Sequence, residues 1–170
     1  MAIPAKIIKY PSVAKGGDER KFIDFLNSKK IKYEIVSHKT VYTAFDKAST
    51  LKVKPSVIGK TLILKTIKGL VMALIPGNRN LDRNKFRKIA KIKKADFVSE
   101  TIIKNRFKGI KLGAIPPLGE LWGLPIFIDR GLLKEKSIFI NSGIYEASFK
   151  VSPGIFEKLG AVKGNFSKAK

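Results

Sequence analysis

The chain has 170 residues, 44% of them apolar, with one histidine and no cysteine; this suits one globular domain and excludes disulfides, zinc–thiolate sites and cysteine nucleophiles. Thirty-five Lys and Arg against thirteen Asp and Glu leave a net charge of +22, a field that attracts polyanions and gains from counterion release when nucleic acid binds. No apolar run approaches the roughly eighteen residues of a membrane span, and Met1 to Lys15 lack a secretory pattern, so a soluble cytoplasmic protein with no membrane partner is expected.

The charge is unevenly spread. Residues 83–111 carry eleven basic side chains against Asp96 and Glu100, whereas residues 114–149 carry three against four acidic ones. A lysine-rich composition (29 Lys to 6 Arg) would account for the total but not for the clustering, and the clustering points to a nucleic-acid partner.

Residues 1–17 read as an N-terminal extension ending in Gly16-Gly17, after which Asp18 is placed to cap a helix. That helix runs to about Lys29 with Phe22, Phe25 and Leu26 on one side. At Ile31 the period changes to two: Ile31, Tyr33 and Ile35 alternate with Lys32, Glu34 and Val36 in a strand that His38 closes. Tyr42 to Leu51 reads as a short helix, and Lys54-Pro55 breaks the chain after it. Two apolar strands, 57–66 and 70–75, are joined by a hairpin at Lys68-Gly69.

Pro76-Gly77-Asn78 turns the chain, and Asn80 is expected to cap a helix that buries Phe86, Ile89 and Ala90. Arg83, Arg87, Lys88 and Lys91 are left in solvent, and Ser99 caps a further short helix carrying Ile102 and Ile103. These two helices, with Lys94 between them, form the expected RNA face. Residues 113–119 cannot be regular structure, because Pro116 and Pro117 are bracketed by Gly113 and Gly119. Residues 125–129, 137–141 and 145–151 read as strands, Ser152-Pro153 as the start of a helix, and Gly160 as its stop. A loose basic tail is expected over 161–170. The whole predicts a single α+β domain over 18–160, with helices packed outside the strands.

Three features could carry chemistry. Lys60 shares a strand face with Ile58, Leu62 and Leu64, where a cation is costly without a partner or an opening; an edge strand whose lysine reaches water would also explain it. The 113–119 loop lets backbone approach a ligand closely and could offer N–H groups to a developing oxyanion, although composition alone favours a stiff connection. Asn141-Ser142-Gly143 ends an apolar strand and suits a pocket wall or a plain turn equally. The absences narrow the mechanism. One histidine cannot build a metal cluster, no phosphate loop or dinucleotide fingerprint occurs, and no G-x-S-x-G accompanies His38. Hydrolysis here would therefore use water held by backbone groups and by the substrate itself, with neither metal nor cofactor.

An ordered series of motifs resembles the YbaK/ProX aminoacyl-tRNA deacylases, which also occur as the editing domain inserted in bacterial prolyl-tRNA synthetases. The series is His38 followed by Thr43, then Gly59-Lys60-Thr61-Leu62-Ile63-Leu64, Ala73-Leu74-Ile75-Pro76-Gly77 and Leu81-Asp82. It continues through the 113–119 loop, Leu124-Pro125-Ile126-Phe127-Ile128-Asp129 and Asn141-Ser142-Gly143, covering about residues 18–160. The resemblance implies a mixed, mostly antiparallel, barrel-like sheet surrounded by helices. It also implies a trans-editing hydrolase that deacylates mischarged tRNA by water attack on the aminoacyl ester, assisted by the terminal ribose.

By the same resemblance, Lys60 contacts the tRNA 3′ end or the aminoacyl group, and Gly113, Ala114, Ile115 and Pro117 serve the ester carbonyl. His38, Thr43, Pro116, Leu118, Gly119, Asp129, Asn141, Ser142 and Gly143 shape the substrate site; the charge pattern, not the resemblance, assigns Arg83, Arg87, Lys88, Lys91 and Lys94 to tRNA. An aminoacyl-tRNA synthetase is a further partner to expect, and so high a like charge argues for a monomer. The chain departs from some subfamilies in having Ile144 and Tyr145 near the strand-end glycine and Ile115-Pro116 in the loop. Three rival readings keep the charge without the reaction on tRNA. They are a non-catalytic basic RNA-binding protein of the same fold, a ribosome-associated protein, and a hydrolase of small aminoacyl esters.

Overall fold

The computed structural model describes residues 19–170. The N-terminal extension and the expected Asp18 cap lie outside them. The first helix, α1 (Glu19–Ser28), buries Phe22, Phe25 and Leu26 as its periodicity requires. It leads into β1 (Glu34–Ser37), where the expected alternation holds: Ile31, Tyr33 and Ile35 are all buried. α2 (Ala44–Leu51) is capped by Thr43, whose hydroxyl accepts from Asp46 N at 3.0 Å.

A five-stranded sheet forms the middle of the molecule. It is built on the hairpin β2 (Gly59–Thr66) and β3 (Gly69–Pro76), paired antiparallel in the register Lys60↔Ile75 and Leu64↔Val71. β5 (Asp96–Phe97) flanks β2; β6 (Ile126–Asp129) runs parallel to β3, and β9 (Val162–Gly164) runs parallel to β6. β3 is apolar throughout because both of its faces are covered. Met72 and Leu74 join Ile63, Ile126 and Ile128 in the larger core, while Val71, Ala73 and Ile75 join Leu64, Phe86 and Phe127 in a second core. The larger core is closed by a three-stranded antiparallel sheet ordered β1, β8 (Ala147–Val151) and β7 (Ile138–Asn141). A single parallel bridge, Ile58 to Phe139, brings β7 alongside the start of β2, so the sheets wrap together without closing into a continuous ring.

The second core lies under α3 (Arg83–Ala90) and a two-stranded ribbon of β4 (Arg79–Leu81) with β10 (Ser167–Ala169). Here two expectations are corrected. Asn80 does not cap the helix; it pairs with Lys168 inside β4, and Asp82 is the cap, accepting from Lys85 N at 3.1 Å. Residues 161–170 are not loose. They contribute β9 and β10, and Phe166 between them is fully buried, stacked edge-on to Phe86 at 5.3 Å. A fully buried phenyl ring is worth about 1.5–3 kcal/mol, enough to hold a short basic segment in place.

Ser99 caps α4 (Glu100–Arg106) as expected. The fifth helix, α5 (Arg130–Leu133), follows β6 directly. The last helix, α6 (Ile155–Lys158), starts after a turn at 152–154, so Gly154 rather than Ser152 precedes it.

Candidate active site

A pocket of about 450 Å³ opens where α2, the start of β2, the end of β7 and the 113–119 loop meet. Close packing brings these pieces together. At Gly77 a Cβ would stand 2.8 Å from Ala44 Cβ and 3.0 Å from Pro55 O, so only glycine lets the β3–β4 turn lie against α2.

Four successive carbonyls, of residues 112–115, are taken by the end of β7 and the segment after it. Tyr145 Oη donates to Leu112 O at 2.6 Å, Asn141 Nδ2 donates to Gly113 O and Ile115 O at 3.2 Å each, and Gly143 N donates to Ala114 O at 2.8 Å. Ala114 N donates to Lys111 O, while the N–H groups of Gly113 and Ile115 have no acceptor among the described residues. The loop is thus clamped through its carbonyls, with N–H groups left over. Gly143 adopts φ +97 to make its turn, and a Cβ there would meet Phe22 Cε2 at 2.8 Å.

Asn141 is in turn held from its other side. Lys47 Nζ donates to Asn141 Oδ1 at 3.0 Å, which orients the amide so that its nitrogen faces the loop. Lys47 is only 8% exposed, and burial pulls its ammonium down to about 8 from 10.5. Lys60 leaves β2 on the side of Leu62 and Leu64 and reaches the pocket, donating to Arg79 O at 2.9 Å. Burial, and then the charge of Lys170, lower its pKa. Lys170 also lines the pocket, with its ammonium 4.4 Å from the Phe45 ring centroid. Three lysines therefore line one cavity whose described walls contain no Asp or Glu. Tyr42 and Phe45 stand exposed at its rim, and Tyr42 packs edge-on to Tyr145 at 4.8 Å. The hydroxyl of Thr61, on the wall, is buried without a partner among the described residues.

Residues 38–159 match the model of the aminoacyl-tRNA editing domain family. The chain belongs to that family. It is 34% identical over 104 residues to a proline–tRNA ligase of Fervidobacterium nodosum; the match covers 61% of this chain and 18% of the ligase. Among solved structures, the hypothetical protein APE2540 superposes with a TM-score of 0.80 at 25% identity, covering 87% of this chain and 99% of its own. A protein put forward as a trans-editing enzyme for prolyl tRNA synthetase superposes at 0.77 with 22% identity, covering 90% and 98%. The YbaK/ProX type expected from the ordered motifs is the type these matches support, and the fold is shared.

Within the editing domain, Lys60, Thr43, Gly113, Ala114 and Asn141 come together on the pocket wall. The other singled-out residues stand behind it or apart. Ile115 and Leu118 are in the larger core, and Pro116, Pro117 and Gly119 are buried beside them. Ser142 Oγ donates to Ala147 O, and Gly143 clamps the loop from its backbone. His38 ties the end of β1 to β8: Nδ1 donates to Lys39 O and Nε2 accepts from Ser148 Oγ, each at 2.9 Å. Asp129 is buried and doubly engaged, accepting from Gly131 N and Phe166 N at 2.9 Å each, away from the pocket.

Of the basic candidates, Arg83 pairs with Asp96 at 3.1 Å and lies over Phe97; Lys94 reaches the same carboxylate at 3.7 Å, and Arg87 bonds Asn84. Lys88 and Lys91 are exposed. Lys47 was not singled out from the sequence. Its signal was present, since it falls on the apolar stripe of Ala44, Ala48 and Leu51 at helical spacing.

Proposed function

We propose that this editing domain is an aminoacyl-tRNA deacylase that removes a wrong amino acid by water attack on the ester. The carrying observation is a pocket whose described walls hold Lys47, Lys60 and Lys170 and no Asp or Glu, bounded by a loop whose Gly113, Ala114 and Ile115 carbonyls are taken by Asn141 and Gly143. Such a cavity attracts the phosphates at the 3′ end of a tRNA.

In this reading Lys60 holds a phosphate or the terminal nucleotide at the mouth, and Tyr42 and Phe45 offer planes on which the terminal base stacks. The ester carbonyl lies against the loop. Water adds to the carbonyl carbon, negative charge grows on the carbonyl oxygen, and the N–H of Gly113, on the pocket wall, receives it. The acyl–oxygen bond to the ribose then breaks, the departing ribose oxygen takes a proton, and the amino acid leaves as an acid. The neighbouring ribose hydroxyl orients the water, which removes the need for a protein base. Lys88 on α3 and Lys91 at its C-terminal cap, together with their basic neighbours, hold the acceptor stem.

The test is the fate of the ester. Mischarged tRNA incubated with the protein should lose its amino acid, whereas a basic protein that only bound RNA would leave the ester intact or protect it.

A further inference from the structure

The inner end of the pocket contains a cation that the deacylation scheme leaves unused. Lys47 has three N–H donors, of which one is spent on Asn141 Oδ1, and no carboxylate pairs with it among the described residues. It is nevertheless nine-tenths buried, on a helix whose neighbouring inward side chains are Ala44, Ala48 and Leu51. A buried ammonium with donors to spare is costly unless something arrives to meet it. The depressed pKa has desolvation as its cause and no compensating charge. Lys60 and Lys170 differ in burial: Lys60 is half-buried and Lys170 exposed, so both can reach water.

We propose that Lys47 forms a specificity subsite for a carboxylate on the side chain of the aminoacyl group, so that the substrate class includes tRNA carrying an acidic amino acid. Position separates this from a phosphate site. The tRNA backbone ends at the ribose, outside the ester, and only the aminoacyl moiety passes beyond the 113–119 loop. Lys47 is bonded to Asn141, the residue that holds that loop, and so lies one side chain beyond the ester position. A carboxylate there would accept from the spare N–H groups of Lys47 and neutralise its charge. An amide of the same shape would bring a weaker acceptor and no charge. This subsite rests on the deacylase reading.

The experiment uses three non-hydrolysable 3′-aminoacylamino-adenosine probes, carrying aspartyl, asparaginyl and alanyl groups, titrated calorimetrically into the full chain at pH 7. The aspartyl probe should bind roughly tenfold or more tightly than the asparaginyl one, the margin of a charge-assisted over a neutral hydrogen bond. Lys47→Met should abolish that preference and Lys47→Arg should keep part of it. Equal binding of aspartyl and asparaginyl probes by the parent would overturn the subsite while leaving the deacylase reading in place. A preference that persisted in Lys47→Met would also overturn it, by assigning the charge recognition elsewhere. Failure of all three probes to bind would remove the deacylase reading, and the subsite with it. The parent comparison stands alone if Lys47→Met does not fold.

Discussion

Lys47 Nζ donates to Asn141 Oδ1 at 3.0 Å, and through that bond one buried helix residue fixes the amide that holds the 113–119 loop. Asn141 Nδ2 is shared between Gly113 O and Ile115 O. Asn141→Ala removes all three contacts and leaves buried carbonyls without donors, which should cost about 2–4 kcal/mol of stability. Deacylation should fall at least tenfold, mainly in kcat, because the loop N–H groups lose their aim. Urea denaturation and single-turnover kinetics measure the two effects. A stable variant with parental kcat would detach Asn141 from the site.

The buried charge of Lys47 has a pH signature. Its folded pKa of about 8 lies below the ordinary 10.5, so between these values the unfolded chain binds more protons than the folded one. Stability attributable to Lys47 therefore rises as pH increases through that window, while the penalty is fully present below pH 8. Measured against Lys47→Met, the parent should gain about 3 kcal/mol between pH 8 and 10.5. His38 provides an independent readout. Burial first, and the charge of Lys47 in smaller part, hold its pKa down, with Lys39 O and Glu146 acting in the other direction. Lys47→Met should raise the titration midpoint of this one histidine in NMR spectra. Parallel stability curves and an unmoved histidine would mean that Lys47 is not buried as a cation.

Much of the scaffold was legible because periodicity is a local property. The change from helical spacing around Phe22 and Leu26 to alternation at Ile31, Tyr33 and Ile35 located α1 and β1, and the Lys68-Gly69 turn located the β2–β3 hairpin. The C-terminal strands were illegible. Ser167, Lys168 and Ala169 carry no strand pattern, and their order comes from pairing with β4 eighty-odd residues earlier and from Phe166 entering the second core. The same pairing turned Asn80 into a strand residue and passed the cap to Asp82. Lys47 was ambiguous for a different reason: a lysine on an apolar stripe usually runs its charge out to water, and only the structure shows that this one bonds Asn141. Asp129 was singled out only through the resemblance of the 124–129 strand, and its partners in the structure are two backbone N–H groups.

The glycines separate into two kinds. Gly143→Ala combines a positive φ with a Cβ 2.8 Å from the Phe22 ring and should cost about 3 kcal/mol or more, or prevent folding. Gly160→Ala has a similar φ but open space around it, so about 1 kcal/mol is expected. Thermal melts compare them, and equal losses would contradict the packing of α1 against the loop clamp.

The basic surface divides in the same way. Lys88→Glu with Lys91→Glu should weaken tRNA binding several-fold and flatten its salt dependence by about one log-log unit per lost phosphate contact, with kcat preserved. Arg83→Ala should also lower stability, because Arg83 bridges to Asp96 and covers Phe97. Salt-titrated binding of tRNA to each variant checks this, and unchanged slopes would move the RNA face away from α3.

The most direct measurement is single-turnover release of labelled amino acid from a panel of mischarged tRNAs, with Lys60→Ala run beside the parent. Release from one or more members, reduced about a hundredfold or more in Lys60→Ala while the fold persists, is the result this account predicts. No release from any member, with salt-sensitive tRNA binding intact, would contradict it and leave an RNA-binding protein built on an editing fold.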